Sequence, residues 1–108
     1  MQVSDRDLVA ALNEKLGVSI VAFMVDRDAS TVRRWAQGAT SMPLESNRAL
    51  RVVYQVFKLL ESVESDHTIR AWFIGMNPQL DDQSPAEAVR DGSYRDVMEA
   101  ARVFEVGG

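Results

Sequence analysis

Apolar residues recur at helical spacing along almost all of this 108-residue chain, and no segment alternates convincingly as a β-strand does. Residues that begin or end helices stand between the apolar runs. Ser4 precedes Asp7 by three positions, the spacing of a capping box, and helical periodicity follows until Gly17. These helix-capping and helix-ending residues predict an all-α chain of seven helices, the first of which ends at Gly17.

Six further helices are expected from the same signals. Ser19 is expected to cap a short buried helix at 20–25, where β-branched residues could be mistaken for a strand, and Ser30 to cap the next. Ser84 and Glu87 have capping-box spacing, and Ser93 is expected to cap the last helix. The expected ranges are 20–25, 31–37, 43–64, 66–74, 85–91 and 94–104.

The helix expected at 43–64 is the longest, and its apolar stripe is wider than one packing surface requires. Pro43 suits a first helical turn, where a missing amide hydrogen costs nothing. The stripe comprises Leu44, Leu50, Val52, Val53, Val56, Phe57, Leu59, Leu60 and Val63. We expect it to pack both on the N-terminal helices and on the segment that follows, or on a second copy of the chain.

Composition excludes several classes of function. The chain has no Cys, and its single His67 cannot build a zinc or haem site alone, so we expect no metal and no cofactor. No apolar run approaches the roughly 20 residues of a membrane span, and the N-terminus lacks a signal-peptide pattern. These features indicate a cytoplasmic protein with no membrane partner. Because no nucleophile–base pair is present, we expect no catalytic residue and no enzymatic activity.

Charge is distributed unevenly along the chain. Residues 1–60 contain eight Lys and Arg against six Asp and Glu, whereas residues 61–108 contain four against ten. A phosphate backbone is attracted by the first half and repelled by the second, which suggests two binding tasks. The alternative is ordinary scatter of solvated surface charge. We expect two corresponding units, at 1–62 and 63–108.

Three conspicuous side chains have ordinary structural explanations. Trp35 and Trp72 each lie on the apolar side of a helical pattern, so core packing is expected before ligand binding. His67 stands near a helix start among acidic residues and is expected at the solvated surface.

The segment 19–38 has the spacing of a helix-turn-helix, in which two short helices are joined by a tight turn. It resembles the N-terminal domain of Xre-type, phage-repressor-like proteins, most closely in the run TVRRW at 31–35 followed by Gly38. A helix of this kind turns small hydroxyl residues and cations outward, towards phosphates and base edges. The resemblance implies DNA contact by Arg27, Ser30, Thr31, Arg33 and Arg34.

This segment also departs from the pattern of a strong DNA reader. Asp26 occupies the turn position that is commonly Gly, Arg27 stands where a packed Val is usual, and Asp28 flanks the turn. Asp tolerates a left-handed backbone, but its charge repels phosphate. We therefore expect operator DNA to be bound weakly by one copy and mainly by a homodimer. The alternative is a helix-turn-helix kept as a structural or dimerisation scaffold.

The segment 71–92 is dense in aromatic and turn residues but holds nothing that can perform chemistry, as is typical of a docking surface. With Val97 it resembles, in order and spacing, the toxin-binding domain of Xre/MbcA/ParS-type antitoxins, and the run VRDGSY at 89–94 resembles the MbcA branch. The matching residues are Trp72, Phe73, Asn77, Pro78, Leu80, Pro85, Val89 and Gly92. Asp81 and Asp82 stand where many members have Gly.

The resemblance implies an antitoxin of a type II toxin–antitoxin system, whose partner is a cognate RES-domain toxin that consumes NAD. Such antitoxins block the toxin's NAD cleft with their C-terminal segment, and many repress their own operon as homodimers or larger toxin–antitoxin assemblies. The implied toxin-binding residues are Trp72, Asn77, Pro78, Leu80, Pro85, Arg90, Tyr94, Glu105, Val106, Gly107 and Gly108. The alternatives are a stand-alone Xre-like transcriptional regulator and an adaptor without a DNA role.

Overall fold

The computed structural model describes residues 3–107, and over that range the chain forms seven α-helices, one 3-10 turn and no strand. The helices are α1 (Asp5–Leu16), α2 (Val18–Val25), α3 (Ala29–Ala36), α4 (Leu44–Glu61), α5 (Asp66–Ile74), α6 (Pro85–Arg90) and α7 (Tyr94–Glu105). The 3-10 turn is Pro78–Leu80, between α5 and α6. The prediction of an all-α chain with seven helices is confirmed for this range, in which no helix is long and apolar enough to cross a bilayer.

Two of the predicted caps close their helices as expected. Ser4 Oγ accepts a hydrogen bond from the Asp7 amide at 3.2 Å, at the start of α1. At the start of α6, Ser84 Oγ accepts from the Glu87 amide at 3.0 Å, and Glu87 Oε1 accepts from the Ser84 amide at 2.9 Å. Each bond satisfies an amide that the first helical turn would otherwise leave unpaired.

The predicted cap of α3 is wrong. Asp28, not Ser30, is the capping residue, because Asp28 Oδ1 accepts the hydrogen bond from the Thr31 amide at 3.2 Å. Ser30 lies inside the helix and its hydroxyl donates to Asp28 Oδ2 at 3.2 Å. Both side chains are good caps, and an ionised carboxylate is the stronger acceptor for an amide beside a helix N-terminus.

Other boundaries also differ from the sequence prediction. α2 begins at Val18, directly after Gly17, so Ser19 lies within the helix and does not cap it. Pro43 precedes α4 in an extended conformation instead of entering its first turn, and α4 ends at Glu61, before the predicted limit of 64. Ser93 occupies the N-cap position of α7 but makes no side-chain capping bond.

α4 lies at the centre of the fold and packs against α1, α2, α5, α6 and α7. Its buried apolar residues are Ala49, Leu50, Val53, Val56, Phe57 and Leu60. The prediction that its stripe packs on both preceding and following helices is therefore confirmed within one chain. The two ends of the predicted stripe are not core, because Leu44 is 74% exposed and Val63 is 48% exposed.

One hydrophobic core joins the two predicted units. Leu12 of α1, Phe57 of α4 and Phe73 of α5 belong to the same buried cluster. Polar contacts reinforce this packing, since the Arg70 guanidinium donates to the Lys15 carbonyl at 2.9 Å at the end of α1. The boundary proposed near residue 62 stays a prediction, and the residues on its two sides pack against each other.

The structure also locates the three conspicuous side chains. Trp35 is 4% exposed and belongs to the core, as predicted. His67 is exposed, also as predicted. Trp72 is half-buried and packs against the rim of the core, where part of its ring remains accessible.

Candidate functional site

A largely apolar groove of about 270 Å³ lies between the C-terminal end of α5, the 3-10 turn and the end of α7. Its walls are Trp72, Met76, Asn77, Pro78, Gln79, Ala100, Val103 and Phe104. The Trp72 ring meets Phe73 edge to face at 5.1 Å and lies 6.2 Å from the Phe104 ring. A partly accessible aromatic ring held between two others can receive apolar groups of a partner at little cost in conformational entropy.

The Asn-Pro turn holds one rim of the groove in place. Asn77 Oδ1 accepts from the Gln79 amide at 2.9 Å, and Pro78 occupies the first position of the 3-10 turn. The Asn77 carbonyl accepts from the Asp82 amide at 3.0 Å. Asp81 and Asp82 have φ values of 55° and 67°, the left-handed region that Gly adopts most easily and Asp tolerates. The two Asp residues therefore hold a backbone shape that Gly adopts most easily.

α7 brings the C-terminal segment to the same groove. Phe104 is a wall of the groove, and Glu105 is the last helical residue. Val106 follows with 78% of its surface exposed, and Gly107 has a left-handed φ of 88°. Gly108, also predicted to bind the toxin, lies outside the described residues.

Only part of the predicted toxin-binding set meets at this groove. Trp72, Asn77 and Pro78 line it, and the segment after α7 adjoins it. Leu80 is 7% exposed and Pro85 is buried, so their side chains support the turn and the start of α6 from within. Asn77 is 8% exposed and is used mainly in the turn.

Arg90 and Tyr94 are not among the walls of this groove. Both line a polar cleft that also contains Asp26 and Arg27 from the turn between α2 and α3. Motif spacing places residues in order along the chain, but it does not show which helix face each one occupies. The grouping of these two residues with the groove is therefore not observed.

Five walls of the groove were missed by sequence reasoning: Met76, Gln79, Ala100, Val103 and Phe104. Ala100, Val103 and Phe104 follow helical spacing and could have been recognised as one face of α7. Nothing in the sequence distinguishes Met76, which is 79% exposed, from a core methionine.

The predicted DNA-contacting residues lie together on the outer side of α3 and on the turn before it. Val32 and Trp35 are 0% and 4% exposed and anchor the inner face of α3, whereas Arg33 and Arg34 are exposed. Arg34 Nη2 donates to Thr31 Oγ1 at 3.1 Å, which orients that side chain along the helix. The sequence pattern predicts this arrangement, with apolar residues on the inner face of α3 and cations on its outer face.

The two acidic residues of the turn both accept hydrogen bonds within the chain. Asp26 takes the left-handed conformation, with φ 55° and ψ 49°, and its Oδ1 accepts from Arg90 Nη2 at 2.8 Å. Hydrogen bonds from Thr31, through its side chain and then its backbone amide, hold the pKa of Asp28 below its usual value, with smaller contributions from Ser30 and the charge of Arg34. The charge of Asp26 is therefore offset by Arg90, whereas Asp28 stays ionised and is held by hydrogen bonds at the start of α3.

Comparison with known proteins defines the class to which this fold and these surfaces belong. No protein-family model matches the chain. The chain is 30% identical over 93 residues to the mycobacterial cidal antitoxin MbcA of Mycobacterium bovis and of Mycobacterium tuberculosis, covering 83% of this chain and 81% of each relative. Its fold matches a chain of the crystal structure of the M. tuberculosis MbcT–MbcA toxin–antitoxin complex, with a TM-score of 0.80, 26% identity and 94% of both chains covered.

In both sequence and fold, the chain is therefore similar to a small helical antitoxin of a toxin–antitoxin system. The chain belongs to the MbcA antitoxin family. The resemblance to MbcA-type antitoxins predicted from the sequence is thereby confirmed for the chain as a whole.

Proposed function

We propose that this chain neutralises a cognate RES-domain, NAD-consuming toxin by direct binding, with no catalysis of its own. The observation that supports this most is the apolar groove beside Trp72, which adjoins the C-terminal segment in a member of the MbcA family. A related chain has been crystallised in a complex named for the toxin MbcT and the antitoxin MbcA. The groove offers such a partner a rigid aromatic surface, which is typical of the centre of a protein–protein interface.

The inhibitory element of this proposal is the segment that follows Phe104. Val106 is 78% exposed and Gly107 has no side chain, so the segment is narrow enough to enter a cleft. Residues 61–108 contain ten Asp and Glu against four Arg. A cleft that holds the phosphates of NAD needs cations, which an acidic partner complements. In this mechanism the groove holds the toxin while the segment excludes NAD.

Truncation separates docking from inhibition. The full chain should restore growth and cellular NAD when it is co-expressed with the toxin, and purified chain should abolish NAD consumption. A variant that lacks residues 105–108 should still bind the toxin in calorimetry but leave most of its activity. Full inhibition by the truncated chain would contradict the blocking role, and failure of the intact chain to bind would contradict the antitoxin proposal itself.

We further propose that α3 binds operator DNA and represses the chain's own operon, as a homodimer or within a larger toxin–antitoxin assembly in the cytoplasm. The exposed Arg33 and Arg34 on the face opposite Val32 and Trp35 support this role. Pairing of Asp26 with Arg90 supports it as well, since the pair reduces the repulsion that a free carboxylate would exert on phosphate. A stand-alone regulator would bind the same DNA without affinity for any toxin.

A further inference from the structure

A second largely apolar groove, of about 370 Å³, lies beside the first, on the other side of the C-terminal end of α5. Its walls are Ser19, Ile20 and Phe23 of α2, Ile74 of α5, Ser84, and Ala86 and Glu87 of α6. Ile74 is 59% exposed and Phe23 is 40% exposed. The roles proposed above do not use these side chains.

Neighbouring residues at the end of α5 line the two grooves, since Trp72 belongs to the first and Ile74 to the second. Ile74 lines the second groove, and Met76, two residues further on, lines the first. The end of α5 is thus a wall that both grooves share. An apolar belt therefore runs from Phe104 on α7, across the end of α5, to Phe23 on α2.

Exposed apolar side chains are concentrated along this belt. The large apolar residues that are most exposed within 3–107 are Phe23, Leu44, Val63, Ile74, Met76 and Val106. Four of these six belong to the belt or to the segment that adjoins it, and the other two lie at the ends of α4. Single exposed apolar residues are ordinary, but a contiguous patch marks an interaction surface.

Phe23 is held in a fixed position on this surface. The Arg90 guanidinium lies 4.8 Å from the centre of the Phe23 ring, and the same guanidinium is bound by Asp26. One face of the ring is therefore covered while the remainder stays accessible. An aromatic side chain fixed before binding loses little entropy when a partner covers it.

We propose that the toxin covers both grooves, so that it contacts α2 as well as the C-terminal half of the chain. This inference rests on the proposed antitoxin function. A stable interface needs about 20–30 residues on each side, and the first groove offers eight lining residues, to which the second adds seven. The number of residues that an interface requires thus favours a partner that extends across the end of α5 and contacts both grooves.

Charge distinguishes the toxin from a second copy of this chain as the occupant. Glu87 lines the second groove, Glu105 follows the last wall of the first, and the half of the chain that contains both is strongly acidic. Two copies packed through this belt would bring acidic rims together, which is unfavourable. A toxin whose NAD site requires cations offers the complementary charge.

Matched charge insertions test the proposal. Ile74→Glu alters the second groove and Met76→Glu the first, whereas Leu44→Glu is a control at a site that is 74% exposed and outside both. We expect Ile74→Glu and Phe23→Ser each to weaken the affinity for purified cognate toxin about tenfold or more. Leu44→Glu should leave the affinity unchanged. Helix content measured by circular dichroism identifies any variant that fails to fold.

The outcomes separate this inference from the proposed function. Failure of the unaltered chain to bind the toxin would refute the proposed function. Binding that Met76→Glu weakens, but that Ile74→Glu and Phe23→Ser leave intact, would show that the toxin stops at the first groove. If Ile74→Glu instead reduces self-association in sedimentation velocity without changing toxin affinity, a second copy covers the groove and the inference is wrong.

Discussion

Asp26 Oδ1 accepts a hydrogen bond from Arg90 Nη2 at 2.8 Å, and this contact joins the turn between α2 and α3 to the end of α6, 64 residues further along the chain. The same guanidinium lies over the Phe23 ring. Motif resemblance assigns Arg90 to toxin binding, and that role stays a prediction. Within the chain Arg90 already has a partner, and it offsets the acidic charge that distinguishes this turn from the usual one with Gly.

The contribution of this contact to the free energy of unfolding can be measured by a double-mutant cycle. We expect Arg90→Met to lower the free energy of unfolding by about 0.5–2 kcal/mol, because it removes an exposed ion pair and a cation–π contact. Asp26→Asn, which tolerates the left-handed backbone, should lose only the ion pair. Urea denaturation of the single and double variants should give a coupling of roughly 0.2–1 kcal/mol.

Arg95→Met is the control for this cycle. Arg95 is exposed on α7, and no ion pair or hydrogen bond of its side chain is seen within residues 3–107. Its replacement should change the free energy of unfolding by less than about 0.5 kcal/mol. A coupling of zero between Asp26 and Arg90 would mean that the contact adds no stability in solution.

The start of α3 provides a second prediction. Asp28→Ala should lower the melting temperature at neutral pH more than Ser30→Ala does, because Asp28 accepts the capping hydrogen bond and Ser30 only donates to Asp28. An equal loss of melting temperature in the two variants would show that Asp28 and Ser30 cap the helix together. Circular dichroism during heating measures both effects.

The same cap has a defined pH dependence. The folded-state pKa of Asp28 is below its ordinary value of 3.8, because the ionised carboxylate accepts hydrogen bonds from Thr31. The stabilisation is therefore complete above the unfolded-state pKa and is lost as pH falls through the lower folded-state pKa. The difference in stability between the unaltered chain and Asp28→Asn should shrink over that acidic range, and NMR titration of the carboxyl group measures the pKa directly.

Much of this fold could be predicted because its helices begin and end at residues with strong local preferences. The Ser84–Glu87 capping box and the bounds of α5 follow from short-range patterns that tertiary contacts do not override. Ser19 and Ser30 show where such reasoning fails. Residues two positions apart, such as Asp28 and Ser30, can both serve as caps, and the choice between them depends on where the preceding turn directs the chain.

The candidate site could be predicted only in part. An Asn-Pro turn beside aromatic residues indicates a docking surface, and Trp72 and Pro78 indeed line the groove. The contact of Arg90 with Asp26 connects residues 64 positions apart, and no local pattern specifies it. The second groove, between Phe23 and Ile74, likewise exists only because α2 packs on α6.

The shared core predicts that both halves unfold together. Trp35 lies in the first half and Trp72 in the second, so Trp72→Phe and Trp35→Phe variants each leave one fluorescent reporter. Within either variant, urea transitions followed by fluorescence and by circular dichroism should coincide, as for a single cooperative unit. Two separate transitions would instead indicate independent domains with a boundary near residue 62.

Core substitutions extend this prediction. Leu12→Ala in α1 and Phe73→Ala in α5 remove fully buried side chains, which are 1% and 0% exposed. Each should lower the free energy of unfolding by about 2–5 kcal/mol. Either substitution should lower the urea concentration at the midpoint of unfolding, whether Trp35 or Trp72 is the fluorescent reporter. A shift seen by only one reporter would contradict the shared core.

Binding to DNA should depend on the outer face of α3. Replacing Arg33 and Arg34 together by Gln should abolish the gel shift with DNA from upstream of the gene, while toxin affinity stays unchanged. Each phosphate contact that is lost should reduce the slope of the logarithm of the DNA-binding constant against the logarithm of salt concentration by about 0.9.

Arg102→Gln is the control for this prediction. Arg102 lies on α7, where its guanidinium contacts Glu99 Oε1 at 2.8 Å, far along the chain from the proposed DNA face. An equal loss of DNA binding in the control would indicate a general effect of net charge. An equal loss of toxin binding in the double variant would show that the toxin also contacts the outer face of α3.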